Sequence, residues 1–266
     1  MQELTGFNKT ANCKSPLTSY SNASNSIEDH LPPHDAEVIP GIKWGNFCQL
    51  YTPAFWKYLY LCNEVSNINK SHRIGSTLIE EVVACLLGGY GIPSEIGIMA
   101  FERLKKMSLI YPGVSYEKIQ VALSSPFFLE HNKSITYRFY NQKSKYIYDF
   151  LRRNDLDCIS AKDDLSLREW LLTIDGVGPK TASWITRNWL QSENVAILDI
   201  HILRAGNIVG FFKNNCDINK EYFDLERSYI EFCKAIDVLP SNMDAIIWGY
   251  MKKTNKLALK IISTLN

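Results

Sequence analysis

An amine, a carboxylate and a glycine turn share one short stretch of this 266-residue chain, Leu171 to Asp199, LLTIDGVGPKTASWITRNWLQSENVAILD. The turn is Gly176-Val177-Gly178, the amine belongs to Lys180 two residues later, and the carboxylate to Asp199 nineteen residues beyond that. Both glycines are free of the steric bar on positive φ and Pro179 suits the first turn of a helix, so a tight turn opening a helix is expected. Such a turn leaves backbone N–H groups pointing outward with the positive end of the helix dipole behind them, an arrangement that suits a phosphate, while Val177 can plug the turn into a core. The Lys180 amine is then either a phosphate contact or a nucleophile. Asp199 stands before the apolar run of IHILRAGNIV, where it would cap a helix, and capping would orient its carboxylate for chemistry.

The elements that must position these groups are two short amphipathic helices. Leu167, Trp170, Leu171 and Ile174 recur at helical spacing before the turn, and Ala182, Ile185 and Trp189 do so after it. This is the helix-hairpin-helix pattern, which in ligases, polymerases and nucleases holds a DNA backbone without reading sequence. With Lys180 and Asp199 added, the stretch resembles the helix-hairpin-helix DNA glycosylase superfamily, in which GVGxK carries a nucleophilic lysine and a following VDxH-like segment a catalytic aspartate. The resemblance implies that Lys180 forms a Schiff base, that Asp199 is the catalytic carboxylate, and that Gly176, Val177 and Gly178 grip the DNA backbone.

Further resemblance narrows the branch. YRFYNQKSKYIYDFLRR is similar to the RFxxxKxxYI segment of 8-oxoguanine glycosylases, and MDAIIWGYMKKTNK looks like the last helix of the archaeal-type enzymes. Carried over, Asp244 and Trp248 would line the base pocket, and their i, i+4 spacing puts them on one face of a helix. The plainer alternative makes Trp248 a core residue and Asp244 a helix cap after Pro240. Gln49 lies in the aromatic-dense stretch GIKWGNFCQLYTPAFWKYLY, and the resemblance makes it a base-reading glutamine. The alternative is a side chain bonded to backbone.

Composition bounds the rest. Hydrophobic content of 46% over this length can fill the core of one large or two small domains. No run of about eighteen apolar residues could span a membrane and no signal-peptide order opens the chain, so a cytoplasmic protein is expected. The three Asn-x-Ser/Thr matches, at Asn8, Asn22 and Asn132, then count as chance. Seven cysteines show no CxxC pair and no zinc spacing, and their odd number argues for reduced thiols. Only Cys216 and Cys233 follow Asp199, too few for the four-cysteine iron–sulfur cluster of some superfamily members. Neither metal nor cofactor is expected. Net charge is only +1, but Lys133, Arg138, Lys143, Lys145, Arg152 and Arg153 stand against one acid, Asp149, and Lys252, Lys253, Lys256 and Lys260 follow Asp244 with none. Each run is either a DNA contact or a solvated helix face.

Along the chain, residues 1–36 are rich in Ser, Asn, Thr and Pro and read as a mobile tail. Helices are expected over Thr77–Leu87, with a Thr77-x-x-Glu80 capping box, and over Ser94–Lys106, Ser115–Leu123, Ile200–Val209, Asp224–Ile236 and after Pro240. The loop Gly88-Gly89-Tyr90-Gly91-Ile92-Pro93 is either a wedge into a duplex or an ordinary turn. No strand is required and no repeat is visible. The expected fold is all-α, and the resemblance implies a hairpin-bearing domain over 76–191, a second helical domain over 37–75 plus 192–266, and the active-site cleft between them. The expected activity is a bifunctional DNA glycosylase and abasic-site lyase excising 8-oxoguanine from double-stranded DNA, acting as a monomer and away from membranes. Two alternatives stay open: the same chemistry on another damaged or modified base, as in phage DNA, or a non-catalytic DNA-binding module that needs neither Lys180 nor Asp199.

Overall fold

The structure, a computed structural model, describes residues 31–64, 73–89, 91–128, 134–156, 163–213 and 215–265. Most of the expected tail lies outside the described residues, as do Tyr90, within the 88–93 loop, and Lys133.

The fold is all-α, with eleven helices among the described residues. They are α1 (Pro53–Glu64), α2 (Leu78–Leu86), α3 (Ser94–Lys106), α4 (Tyr116–Ser124), α5 (Tyr140–Leu151), α6 (Asp164–Leu172), α7 (Pro179–Leu190), α8 (Ile200–Val209), α9 (Tyr222–Ala235), α10 (Pro240–Lys253) and α11 (Asn255–Leu265). Local chemistry starts them where expected. Thr77 caps α2, accepting from the Glu80 N–H at 3.2 Å, and Glu80 reaches back to the Ser76 N–H at 2.7 Å, one residue short of a regular capping box.

Three features depart from the expectation. Two antiparallel ribbons exist, β1 (Glu37–Ile39) with β2 (Ile42–Lys43), and β3 (Phe127–Phe128) with β4 (Ser134–Ile135). Strands of two or three residues are too short to show an alternating period, and Gly41, at φ +82°, closes the first ribbon. Helix α1 gives no clear stripe in the sequence because Phe55, Trp56, Tyr58 and Tyr60 fall on more than one face, and its buried residues, Pro53, Ala54, Phe55, Trp56 and Tyr60, begin with four in a row. The C-terminal region is two helices, not one. Thr254 ends α10 by turning its N–H and hydroxyl onto the Tyr250 carbonyl, at 3.0 and 2.9 Å, a break that needs neither Gly nor Pro.

The buried residues form two cores. One, built by α2 to α7, contains Val82, Phe101, Leu104, Ile147, Phe150, Leu167, Leu171 and Ile185. The other, built by α1 and α8 to α11, contains Trp56, Leu198, Ile202, Tyr229, Phe232, Met243, Ile247 and Ala258. Each large side chain fully buried contributes roughly 1.5–3 kcal/mol, so each core can hold its helices rigidly. The chain passes from the first to the second through residues 191–199, which run from the end of α7, the helix that Lys180 begins, to Asp199 at the start of α8.

Candidate active site

The hairpin is α6, the turn and α7. Gly176 adopts φ +86°, and a Cβ on it would overlap the Tyr146 ring, so both conformation and contact require glycine. The Val177 side chain is buried, and its N–H donates to Ile174 at 3.0 Å. Gly178 differs from the expectation. Its φ of −92° is open to any residue, and a Cβ there would meet nothing within 4 Å. The fold therefore does not need glycine at 178, but bare backbone there lets a ligand approach closely.

Gly178 is the N-cap of α7 with no side-chain cap, and Pro179 follows at the first helical position. The opening N–H groups of α7 are thus left to an external acceptor. Lys180 is exposed on this first turn. One turn later Trp184 is 40% exposed, although Ala182 and Ile185 beside it are fully buried. Sequence reasoning passed over Trp184; its i+4 spacing from Lys180 and its absence from the Ala182, Ile185, Trp189 stripe were the available signals.

Asp199 is the N-cap of α8. Its Oδ1 accepts from the N–H groups of His201 at 2.8 Å and Ile202 at 3.0 Å, which orients the carboxylate, and no described donor reaches Oδ2. The His201 ring meets Trp248 edge-on at 6.4 Å between centroids, and the Lys252 ammonium stands 4.6 Å from the indole centre. Trp248 is 47% exposed, so it is no core residue. It stands beside the helix that Asp199 opens.

Asp244 is not the cap of its helix. Leu239 is the N-cap of α10, and Asp244 lies within the helix, 6% exposed. Its carboxylate is ion-paired with Arg187, near the end of α7. Desolvation pushes the Asp244 carboxyl up to about 6, the Arg187 guanidinium and the Ile197 N–H oppose that rise, and the negative charge of Asp199 adds to it. The implied open acceptor for a purine edge is therefore, in the free protein, a buried group already committed to Arg187. Through that pair the helix bearing Lys180 is tied to the helix bearing Trp248.

Gln49 is not brought to this place. It is exposed in a turn, with its N–H on the Asn46 carbonyl at 2.9 Å, and it lines a separate cavity of ≈ 560 Å³ together with Ile42, Thr52, Val209 and Ile261. Val209 ends α8 while Asp199 begins it, and a helix of ten residues is about 15 Å long. The loose local match around Gln49 could not register that separation.

The basic residues on and just after α5 are largely engaged within the protein. Lys145 pairs with Asp149 at 2.7 Å, Arg153 with Asp155 at 2.6 Å, and Arg152 donates to the Tyr148 hydroxyl at 2.7 Å. Lys143 donates to the Gly88 carbonyl at 3.2 Å, and its burial pulls its pKa down. That bond ties α5 to the start of the 88–93 loop. Among the described residues no group of three or more His, Cys, Asp or Glu side chains could hold a metal ion, and no helix is long and apolar enough to cross a membrane.

Comparison with known proteins bears on this geometry. The family model described as 8-oxoguanine DNA glycosylase matches residues 62–238. An 8-oxoguanine DNA glycosylase/AP lyase of Metallosphaera sedula is 32% identical over 187 residues, covering 67% of this chain and 82% of that protein. A protein of the same name from Fusobacterium nucleatum is 32% identical over 161 residues, 56% of this chain and 68% of its own. In fold, the chain is similar to the crystal structure of Methanocaldococcus jannaschii 8-oxoguanine DNA glycosylase, with a TM-score of 0.57 at 21% identity over 79% of this chain and 98% of that one. The same enzyme in complex with a 15mer DNA containing 8-oxoguanine matches with a TM-score of 0.56, covering 75% of this chain and 98% of that chain.

Proposed function

This chain belongs to the 8-oxoguanine DNA glycosylase family, and from that premise we propose that it excises 8-oxoguanine from duplex DNA as a single chain and nicks the strand it leaves abasic, with Lys180 as nucleophile and Asp199 as the catalytic carboxylate. The observation that carries the residue assignment is the pairing of an exposed lysine on an uncapped helix start with an aspartate oriented by its own helix.

A base inside a duplex is out of reach, so the nucleotide must be extruded, at a cost of a few kcal/mol that damage lowers. The outward N–H groups around Gly178 hold a neighbouring phosphate while this happens. The Lys180 amine attacks C1′ as the base departs. The C1′–O4′ bond then breaks, O4′ taking a proton, to leave a Schiff base at C1′, and loss of a C2′ proton expels the 3′ phosphate by β-elimination, which nicks the strand. Asp199, held through Oδ1, turns Oδ2 toward the positive charge that develops on the sugar.

We assign the exposed indole of Trp248 to stacking on the extruded purine, a contact worth about 1–3 kcal/mol. Trp184 offers a second exposed indole one turn from Lys180. Asp244 supports this wall through Arg187, and Gln49 takes no part. The two cores serve as two domains, 76–191 and 37–75 plus 192–266, with the reacting sugar between them.

Borohydride reduction during reaction with a duplex carrying one 8-oxoguanine tests the assignment. Wild-type protein is expected to give a covalent protein–DNA adduct, and Lys180→Gln to give none while still binding the duplex. An undiminished adduct in the variant would move the nucleophile elsewhere.

A further inference from the structure

Lys180 stands at the start of α7, whose buried face lies in the first core, and Asp199 caps α8 of the second, and the nine residues 191–199 between these helices form neither helix nor strand. Without a ladder of their own, these residues depend on side chains to set their path. Two buried side chains of α9, one turn apart, supply it. The Tyr222 hydroxyl accepts from the Leu198 N–H at 3.2 Å and donates to the Ala196 carbonyl at 2.8 Å. Glu226 Oε1 accepts from the Ala196 N–H at 2.8 Å and from the Ser183 hydroxyl of α7 at 3.1 Å. Its Oε2 is ion-paired with Arg168 of α6.

One carboxylate thus touches both helices of the hairpin and the backbone three residues before Asp199. Glu226 is 4% exposed. A buried charge is a poor device for stability, since well-packed apolar residues often hold a core as well or better. Its directional bonds do something apolar packing cannot, which is to fix where one particular N–H lies relative to two particular helices.

We propose that Glu226, assisted by Tyr222, is a positioning residue for base excision: it holds the passage 195–199 against the hairpin so that the Asp199 carboxylate and the Lys180 amine face the same sugar. This rests on the catalytic reading given above. The carboxylate touches neither substrate nor the reacting atoms. Its influence runs through Ala196 and the Arg168–Ser183 side of the hairpin.

The test uses the full chain and a duplex with one 8-oxoguanine, well below the melting temperature. Glu226→Gln keeps the shape and an acceptor for Ala196 but loses the ionic partner of Arg168. Tyr222→Phe keeps the ring and leaves the Leu198 N–H and Ala196 carbonyl without their partner. Three quantities are read: melting temperature, affinity for a duplex carrying a tetrahydrofuran abasic-site analogue, and the single-turnover excision rate at saturating protein. Both variants are expected to bind the analogue like wild type, because the hairpin turn is untouched, while excision slows by about 100-fold, the effect of displacing a reacting group by an ångström. Excision at the wild-type rate in Glu226→Gln overturns the positioning role, as does a loss of binding and rate in step with melting. If Glu226→Gln does not fold, Tyr222→Phe decides by the same criteria. A wild-type protein that releases no base overturns the glycosylase reading, and this proposal with it.

Discussion

Asp199 carries two demands on one side chain. Its Oδ1 satisfies two N–H groups at the start of α8, and the other oxygen is the one that the proposed function uses. Asparagine caps a helix about as well as aspartate, so Asp199→Asn is expected to change the unfolding free energy by less than about 0.5 kcal/mol. It cannot supply the negative charge, and excision is expected to slow by about 10²–10³-fold. Urea titration beside single-turnover excision separates the two demands: equal loss of stability and rate would make Asp199 a structural cap and nothing more. Trp248 shows the converse at the same scale. Half exposed, and touched by His201 and Lys252, it has little part in the core that its apolar neighbours on α10 fill.

At the scale of the element, the two glycines of the hairpin turn have different reasons to be glycine. Gly176 meets a φ of +86° and the Tyr146 ring, both internal to the fold. Left-handed backbone alone costs an alanine roughly 1–2 kcal/mol, and the ring overlap adds to that. Gly176→Ala is therefore expected to lower the unfolding free energy by more than about 2 kcal/mol. Gly178→Ala meets no strain and no neighbour, so its stability should match wild type or exceed it by up to about 1 kcal/mol. Its new methyl group points to where a phosphate would approach, and duplex affinity should fall. Chemical denaturation and duplex binding of both variants check the contrast; a Gly178→Ala that binds like wild type would leave the turn without its proposed contact. The periodicity that marks α6 and α7 is blind to this difference, because it reports which face is apolar and not which backbone atom faces a partner.

At the scale of the whole molecule, Arg187 and Asp244 join the two cores through a buried ion pair. The Asp244 carboxyl is raised to about 6 by desolvation, against an unfolded value of about 3.9. Because the folded state holds this proton more tightly, the group's contribution to stability is fully present below about pH 3.9 and is lost as pH rises through about 6. Asp244→Asn is uncharged at every pH, so it resembles the protonated wild-type side chain and does not share this pH dependence. Relative to that variant, the wild type is expected to lose on the order of 3 kcal/mol of unfolding free energy between about pH 4 and pH 7. Urea melts across that range measure it. A difference that does not change with pH would show the carboxylate charged in the folded and unfolded states alike.

Local chemistry made much of this protein legible in its sequence. Helix caps, glycine turns and 3.6-residue stripes act within a few residues, so the all-α class, the hairpin over 167–190 and the start of a helix at Asp199 follow from composition and spacing alone. The Gly-x-Gly-x-Lys and Asp pairing is legible there too, and it is the resemblance of that pairing to a known family that points to DNA glycosylases. Tertiary structure decided what depends on partners distant in the chain. Tyr146 on α5 determines which glycine the fold requires, and the crossing of α7 with α10 buries Asp244 against Arg187. The length of α8 separates Gln49 from Asp199, and the packing of α9 brings Glu226 and Tyr222 onto the passage that joins α7 to α8. Burial and pairing are set by how helices cross, and a linear pattern carries the face of each helix but not the partner that will cover it.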